Sequence, residues 1–199
     1  MNKILLRAHH LVLGACLLLA APALWSCNSQ TTYQKQLAEH QNQLKIIDED
    51  TIHRYLDKHN LLKKARRTNS GLYVVDSVAG TGTPITIGKQ VRVKYIGRFL
   101  SNGAHPASTG YPASYGNPNY PQGAIFDNSS ENHTKCGCLV FTAGSASNVT
   151  GFNEGLLLMR QGDRKLLLIP SYLGYGAAAT GSIPADSALM FDVEILEVF

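Results

Sequence analysis

Two widely separated segments of this chain alternate strictly between apolar and polar side chains: Val91-Arg92-Val93-Lys94-Tyr95 and Phe191-Asp192-Val193-Glu194-Ile195. Successive side chains of a strand point to opposite faces, so each segment predicts a strand with one apolar and one wet face. That pattern belongs to antiparallel sheets, because a parallel sheet is covered on both faces and reads as unbroken apolar runs. Leu72-Tyr73-Val74-Val75 and Leu166-Leu167-Leu168-Ile169 predict two more strands, the second buried and ended by Pro170. Between them Phe152, Leu156 and Met159 recur at helical spacing and predict one short helix that Gly162 stops. Many strands around one short helix, without a βαβ rhythm, give an α+β domain.

The other end of the chain is an address. Lys3 and Arg7 precede an apolar stretch from Leu11 to Trp25. It is shorter than the ~20 residues a membrane-spanning helix needs, so residues 1–26 are expected to be a signal peptide. Leu24-Trp25-Ser26-Cys27 resembles the bacterial lipobox, in which the cysteine is lipidated and becomes the mature N-terminus; Trp25 departs from the usual small or aliphatic residue. Cys27 is therefore the expected lipidation site. Asn28 behind it points to the outer membrane, facing the periplasm. Without Lys3 and Arg7, 16 basic groups face 14 acidic ones. So slight an excess gives no reason to expect a nucleic-acid partner, and the run Lys63-Lys64-Ala65-Arg66-Arg67 reads as a solvated helix end or linker.

Residues 27–69 read as a helical arm and linker. Tyr33, Leu37, Leu44, Ile47, Tyr55, Leu56 and Leu62 make an amphipathic stripe, either one helix or two broken near Asp48–Asp50, with Asp50 capping the second. The stripe could dock on the domain that follows, pair with a second copy as a homodimer, or stand the domain off a membrane. Within residues 70–199, Ala104 to Gly123 contains four Pro, three Gly and three Tyr and none of Lys, Arg, Asp or Glu. A loop that long is functional or mobile. His133-Thr134-Lys135-Cys136-Gly137-Cys138 carries metal-capable side chains at a spacing that structural zinc sites seldom use, so no metal is expected there. In an exported chain the cysteines form a tight disulfide or stay as two thiols.

The sequence holds no GxSxG elbow, no HExxH and no phosphate-binding loop, so neither a hydrolase nor a nucleotide enzyme is indicated. From Gly71 to Phe199 it instead carries an ordered set of short motifs. They are Val91-Arg92-Val93-Lys94-Tyr95-Ile96-Gly97, Ile125-Phe126-Asp127-Asn128-Ser129, Phe141-Thr142-Ala143-Gly144, Val149-Thr150-Gly151-Phe152-Asn153-Glu154-Gly155, Leu173-Gly174-Tyr175-Gly176, Ile183-Pro184 and Met190-Phe191-Asp192-Val193-Glu194. In that order the set resembles the FKBP-type peptidyl-prolyl cis-trans isomerases. The resemblance implies an FKBP-like curved antiparallel sheet wrapped around one short helix, preceded here by the helical arm.

It also implies a site. Asp127, Tyr175 and Tyr95 stand at the family's catalytic positions, and Phe126, Val149, Phe152, Ile183 and Phe191 at its substrate-binding ones. Leu139 replaces an aromatic wall residue, and Phe152 stands where the best-known members have Trp. The implied activity is isomerisation of prolyl bonds in exported polypeptide clients, without cofactor. The alternative is a catalytically weak FKBP-like chaperone or scaffold.

Overall fold

The computed structural model describes residues 31–132 and 134–199. The expected signal peptide, Cys27 and His133 lie outside the described residues. The α+β architecture expected from the sequence is the one observed, with an antiparallel sheet and, among the described residues, two α-helices.

The first helix, α1, runs Thr32–Lys58 without interruption. Its start is a reciprocal cap: Gln34 N–H donates to Thr31 Oγ1 (3.2 Å) and Thr31 N–H to Gln34 Oε1 (3.0 Å). Its end is set by Asn60, whose φ of 57° is left-handed. Leu61 N–H then reaches Leu56 O (2.7 Å) and Asn60 N–H reaches Asp57 O (2.9 Å), the paired bonds that satisfy a helix's last carbonyls. The two-helix alternative is thereby corrected. Asp50 is no cap; it lies inside the helix and pairs with Arg54 one turn on (2.9 Å). The buried stripe is His40, Leu44, Asp48, Ile52 and Leu56. It therefore includes two polar residues, and it omits Tyr33, which is exposed.

Seven strands form the main sheet: β1 (Ala65–Arg67), β2 (Tyr73–Val78), β3 (Gln90–Phe99), β6 (Ile125–Asn128), β7 (Leu139–Thr142), β8 (Arg164–Ile169) and β9 (Leu189–Val198). Their order is β1-β2-β8-β9-β3-β6, with β7 also on β3. The two alternating segments pair with each other, Tyr95 opposite Val193 and Lys94 opposite Glu194. The second helix, α2 (Thr150–Leu157), packs on one face against Val93, Leu167 and Val193. On the other face Ile52 and Leu56 of α1 meet Tyr73, Val75, Leu168 and Met190. Cover on both faces explains why Leu72–Val75 and Leu166–Ile169 are apolar at every position while β3 alternates. Ile52 and Leu56 are both 0% exposed, and burying each contributes about 1.5–3 kcal/mol. Helix α2 lies so close to β8 that a Cβ on Gly155 would sit 2.3 Å from Leu167 Cδ1.

The Ala104–Gly123 run contains a small two-stranded sheet of its own, β4 (Ala104–His105) with β5 (Ser114–Tyr115). The run packs on α1: the Tyr111 ring stacks on His40 at 4.2 Å between centroids. Cys136 and Cys138 are joined as a disulfide, one of the two states the sequence left open.

Candidate functional site

Strand β3 changes partners halfway. Its first half pairs with β7, Val91 opposite Phe141, and its second with β6, Gly97 opposite Asp127. At the change-over the Tyr95 N–H is satisfied by a side chain, donating to Ser129 Oγ (3.0 Å), which in turn donates to Gly137 O (2.8 Å). The gap between β6 and β7 opens a pocket of about 340 Å³, within the usual size of small-ligand clefts.

The pocket's floor is Phe152 of α2, whose ring centroid lies 5.1 Å from Phe141 and Phe191 and 5.9 Å from Tyr95. All four rings line it, together with Asp127, Val149 and Tyr175. The rim from Ala146 to Asn148 is tied down by Asn153, whose Nδ2 donates to Ser145 O (2.5 Å) and whose Oδ1 accepts from Asn148 Nδ2 (3.0 Å). Among the described residues that line the pocket, Asp127 alone is acidic. Its Oδ2 accepts a hydrogen bond from Tyr95 Oη at 2.7 Å. Burial, and then that bond, push the Tyr95 phenol well above its ordinary range. Burial, with the Asp127 charge second, also raises Tyr175. Both phenols are therefore neutral donors at physiological pH.

Six of the nine residues singled out in the sequence for catalysis or substrate binding meet here: Tyr95, Asp127, Val149, Phe152, Tyr175 and Phe191. Three stand elsewhere. Phe126 packs edge-on against Phe191 (5.5 Å) and against Phe99 (5.1 Å), behind the wall. That packing needs Gly97, where a Cβ would come within 2.8 Å of the Phe126 ring. Leu139 lies opposite Val93 on β7, against the core. Ile183 is buried in the main core and bridged to Thr180. The aromatic wall expected near Leu139 is supplied two residues on by Phe141, which sequence reasoning noted in a motif but not as a site residue. Period-two spacing was the available signal, since residues i and i+2 of a strand share a face. Asn153 was likewise missed, because an Asn inside a helical pattern carries no mark of the loop it anchors.

Residues 82–196 match the family model of the FKBP-type peptidyl-prolyl cis-trans isomerases. An FK506-binding protein of Neisseria meningitidis is 32% identical over 130 residues, 65% of this chain and 97% of that protein. The FKBP-type isomerase FkpA of Buchnera aphidicola is 29% identical over 148 residues, 72% of this chain and 47% of that one. This chain spans only 32% of another relative, the FK506-binding protein 4 of Mycosarcoma maydis, at 28% identity over 143 residues. Among solved structures, FkpA from Escherichia coli superposes with a TM-score of 0.55 at 26% identity, covering 79% of this chain and 63% of that one.

Proposed function

The chain belongs to the FKBP-type peptidyl-prolyl cis-trans isomerases, and from that premise we propose that the pocket over Phe152 is its active site and that its substrates are apolar-residue–Pro bonds in exported polypeptides. The observation that supports the assignment is the Tyr95–Asp127 bond beside the rings of Phe141, Phe152 and Phe191 in one pocket.

Rotation about a prolyl bond crosses a barrier of about 18–20 kcal/mol because it breaks amide resonance. No nucleophile is required. A pocket that fits the twisted amide better than the planar one lowers the barrier by differential binding. The proline ring sits on Phe152 between Tyr95, Phe141 and Phe191. The Val149 N–H, which has no backbone partner among the described residues, holds one substrate carbonyl. The Tyr175 hydroxyl holds another. Asp127 fixes the Tyr95 ring and places negative charge beside the twisting bond.

Tyr175→Phe removes one neutral hydrogen bond, worth about 0.5–1.5 kcal/mol, and little volume. The expected result is a fall in kcat/KM of about tenfold or less at unchanged melting temperature, measured with a prolyl peptide. Should the parent chain itself fail to accelerate isomerisation while folded, the scaffold reading would replace this one.

The isomerase domain proper is taken as residues 70–199, with residues 27–69 as an arm whose last strand, β1, joins the domain's sheet. Ile52 and Leu56 of α1 are covered by the chain's own sheet. A homodimer through the arm would use the exposed side chains of α1, Tyr33 and Ile46 among them. For localisation, residues 1–26 are proposed to direct export, and Cys27 to carry the acyl chains that hold the protein at the envelope. No helix among the described residues is long and apolar enough to cross a membrane. Two or more acyl chains anchor stably where one is marginal. Cys27→Ser is therefore expected to move the protein from the membrane to the soluble fraction and abolish lipid labelling. Retention of both in the variant would dismiss the anchor.

A further inference from the structure

Three polar side chains from distant parts of the sequence meet in the interior, away from the pocket. His40 comes from α1, His105 from β4, and Asp186 from the loop leading into β9. Their side chains are 1%, 6% and 6% exposed. Asp186 Oδ2 lies 2.9 Å from His40 Nε2 and 3.4 Å from His105 Nε2.

The far nitrogen of each ring is engaged as well. His105 Nδ1 lies 2.8 Å from the Pro106 carbonyl, and His40 Nδ1 lies 3.2 Å from Ser108 Oγ. A carbonyl only accepts, so His105 carries its proton on Nδ1. Its Nε2 then faces a carboxylate oxygen at 3.4 Å, an arrangement that a cation shared by the two atoms satisfies. Asp186 Oδ1, moreover, is buried without any hydrogen-bond partner among the described residues. A buried acceptor left in that state is costly. A plain His40–Asp186 ion pair accounts for neither the second imidazole nor the orphaned oxygen.

We propose that His40, His105 and Asp186 form a binding site for a divalent transition-metal ion, zinc by preference, that clasps α1, the inserted hairpin and the loop before β9. Two imidazoles and one carboxylate suit zinc and its neighbours rather than calcium or magnesium. Zinc bonds of about 2.0–2.2 Å place tetrahedral ligands roughly 3.3 Å apart, and the two distances to Asp186 Oδ2 bracket that spacing. The three donor atoms all lie within 4.8 Å of one another. Both rings are held from behind by oxygen partners, as metal-binding histidines usually are. Tyr111, stacked on His40 with only 2° between the planes, fixes that ring further.

The test uses the full purified chain, stripped with EDTA and kept free of reductant so that the Cys136–Cys138 disulfide stays closed. Calorimetric titration with zinc chloride should show one equivalent bound with a micromolar or tighter Kd, and zinc should raise the melting temperature. Co2+ in its place should give the visible absorption of a four-coordinate site. His105→Gln and Asp186→Asn should each weaken zinc binding at least about 100-fold, since even the loss of a partner behind a ligand costs 10–100-fold. Asn tolerates the left-handed backbone of Asp186, whose φ is 60°, so that variant keeps the loop. Prolyl isomerisation without metal should stay at the parent's level in both. Failure of the folded parent to bind zinc stoichiometrically overturns the proposal, and so does binding that survives both substitutions undiminished.

Discussion

Asp127→Leu is expected to lower kcat/KM for an apolar-residue–Pro peptide by about 10–100-fold. A hydrogen bond to a charged group contributes about 1.5–3 kcal/mol, and each 1.36 kcal/mol in a barrier is tenfold in rate. The bond at stake is the 2.7 Å contact from Tyr95 Oη to Asp127 Oδ2. Leucine keeps the wall filled but offers no acceptor, so Tyr95 loses its fixed orientation and the pocket loses the Asp127 carboxylate. The buried hydroxyl then lacks a partner, which costs about 1–3 kcal/mol of stability as well. Asp127→Asn separates the two roles, because the amide oxygen still accepts from Tyr95 while the charge is gone. Activity retained in Asn and lost in Leu means that Asp127 orients Tyr95. Activity lost in both means that the charge acts on the twisting amide directly. Tyr95→Phe, alone and combined with Asp127→Leu, measures how far the pair acts as a unit. If Asp127→Leu and Tyr175→Phe both keep full activity at unchanged melting temperature, the pocket over Phe152 is not the active site.

The parts of this structure that could be read in advance are those where a local pattern and the tertiary fold agree. Strands β3 and β9 announce themselves because a wet face and a dry face impose period two on the side chains. Helix α2 is legible from Phe152 and Leu156, one turn apart, both buried against the sheet. What escaped detection depends on partners far along the chain. His40 and Asp48 sit in the buried stripe of α1, although any hydropathy scale assigns them to the surface. They are inside because Asp186, 146 residues on, and Ser171, 123 residues on, receive them. Asp50 looked like a cap because nothing local shows that α1 continues through three consecutive acidic residues. In fact each has a partner: Ser171 for Asp48, Arg67 and Tyr73 for Glu49, and Arg54 for Asp50. The Ala104–Gly123 run was legible as special from its composition. Its docking on α1 was not, since stacking of Tyr111 on His40 leaves no trace in either segment. At the site, the resemblance supplied the positions, and the geometry divided them between the pocket lining and the core behind it.

Asp48→Asn is expected to raise stability at neutral pH, the reverse of what removing a doubly bonded buried side chain usually does. Asp48 Oδ2 accepts from the Ser171 N–H (2.8 Å) and from Ser171 Oγ (2.7 Å) in a site that is 1% exposed. Burial pushes its carboxyl from 3.8 up to about 6; the Ser171 bonds pull the other way, and the Asp186 charge adds to the rise. No cation is among the groups acting on it, while the neighbouring Tyr172 phenol is itself raised and stays neutral throughout this range. A carboxyl whose folded pKa exceeds its unfolded value favours the folded state when protonated. Its contribution is therefore full below about pH 4 and is lost as pH rises through about 6. A shift of about two pKa units corresponds to about 3 kcal/mol, which the parent forgoes at pH 7.5 by keeping an ionised group in a dry site. The asparagine oxygen accepts both Ser171 bonds without that ionisation. At roughly 2–4 °C per kcal/mol for a domain of this size, Asp48→Asn should melt roughly 6–12 °C above the parent at pH 7.5, and the gap should close toward pH 4. EDTA throughout keeps any cation near Asp186 from drawing the carboxyl back down. Two melting curves that run parallel from pH 4 to 7.5 would mean that Asp48 is ionised at no cost where it lies, and the burial argument would fail.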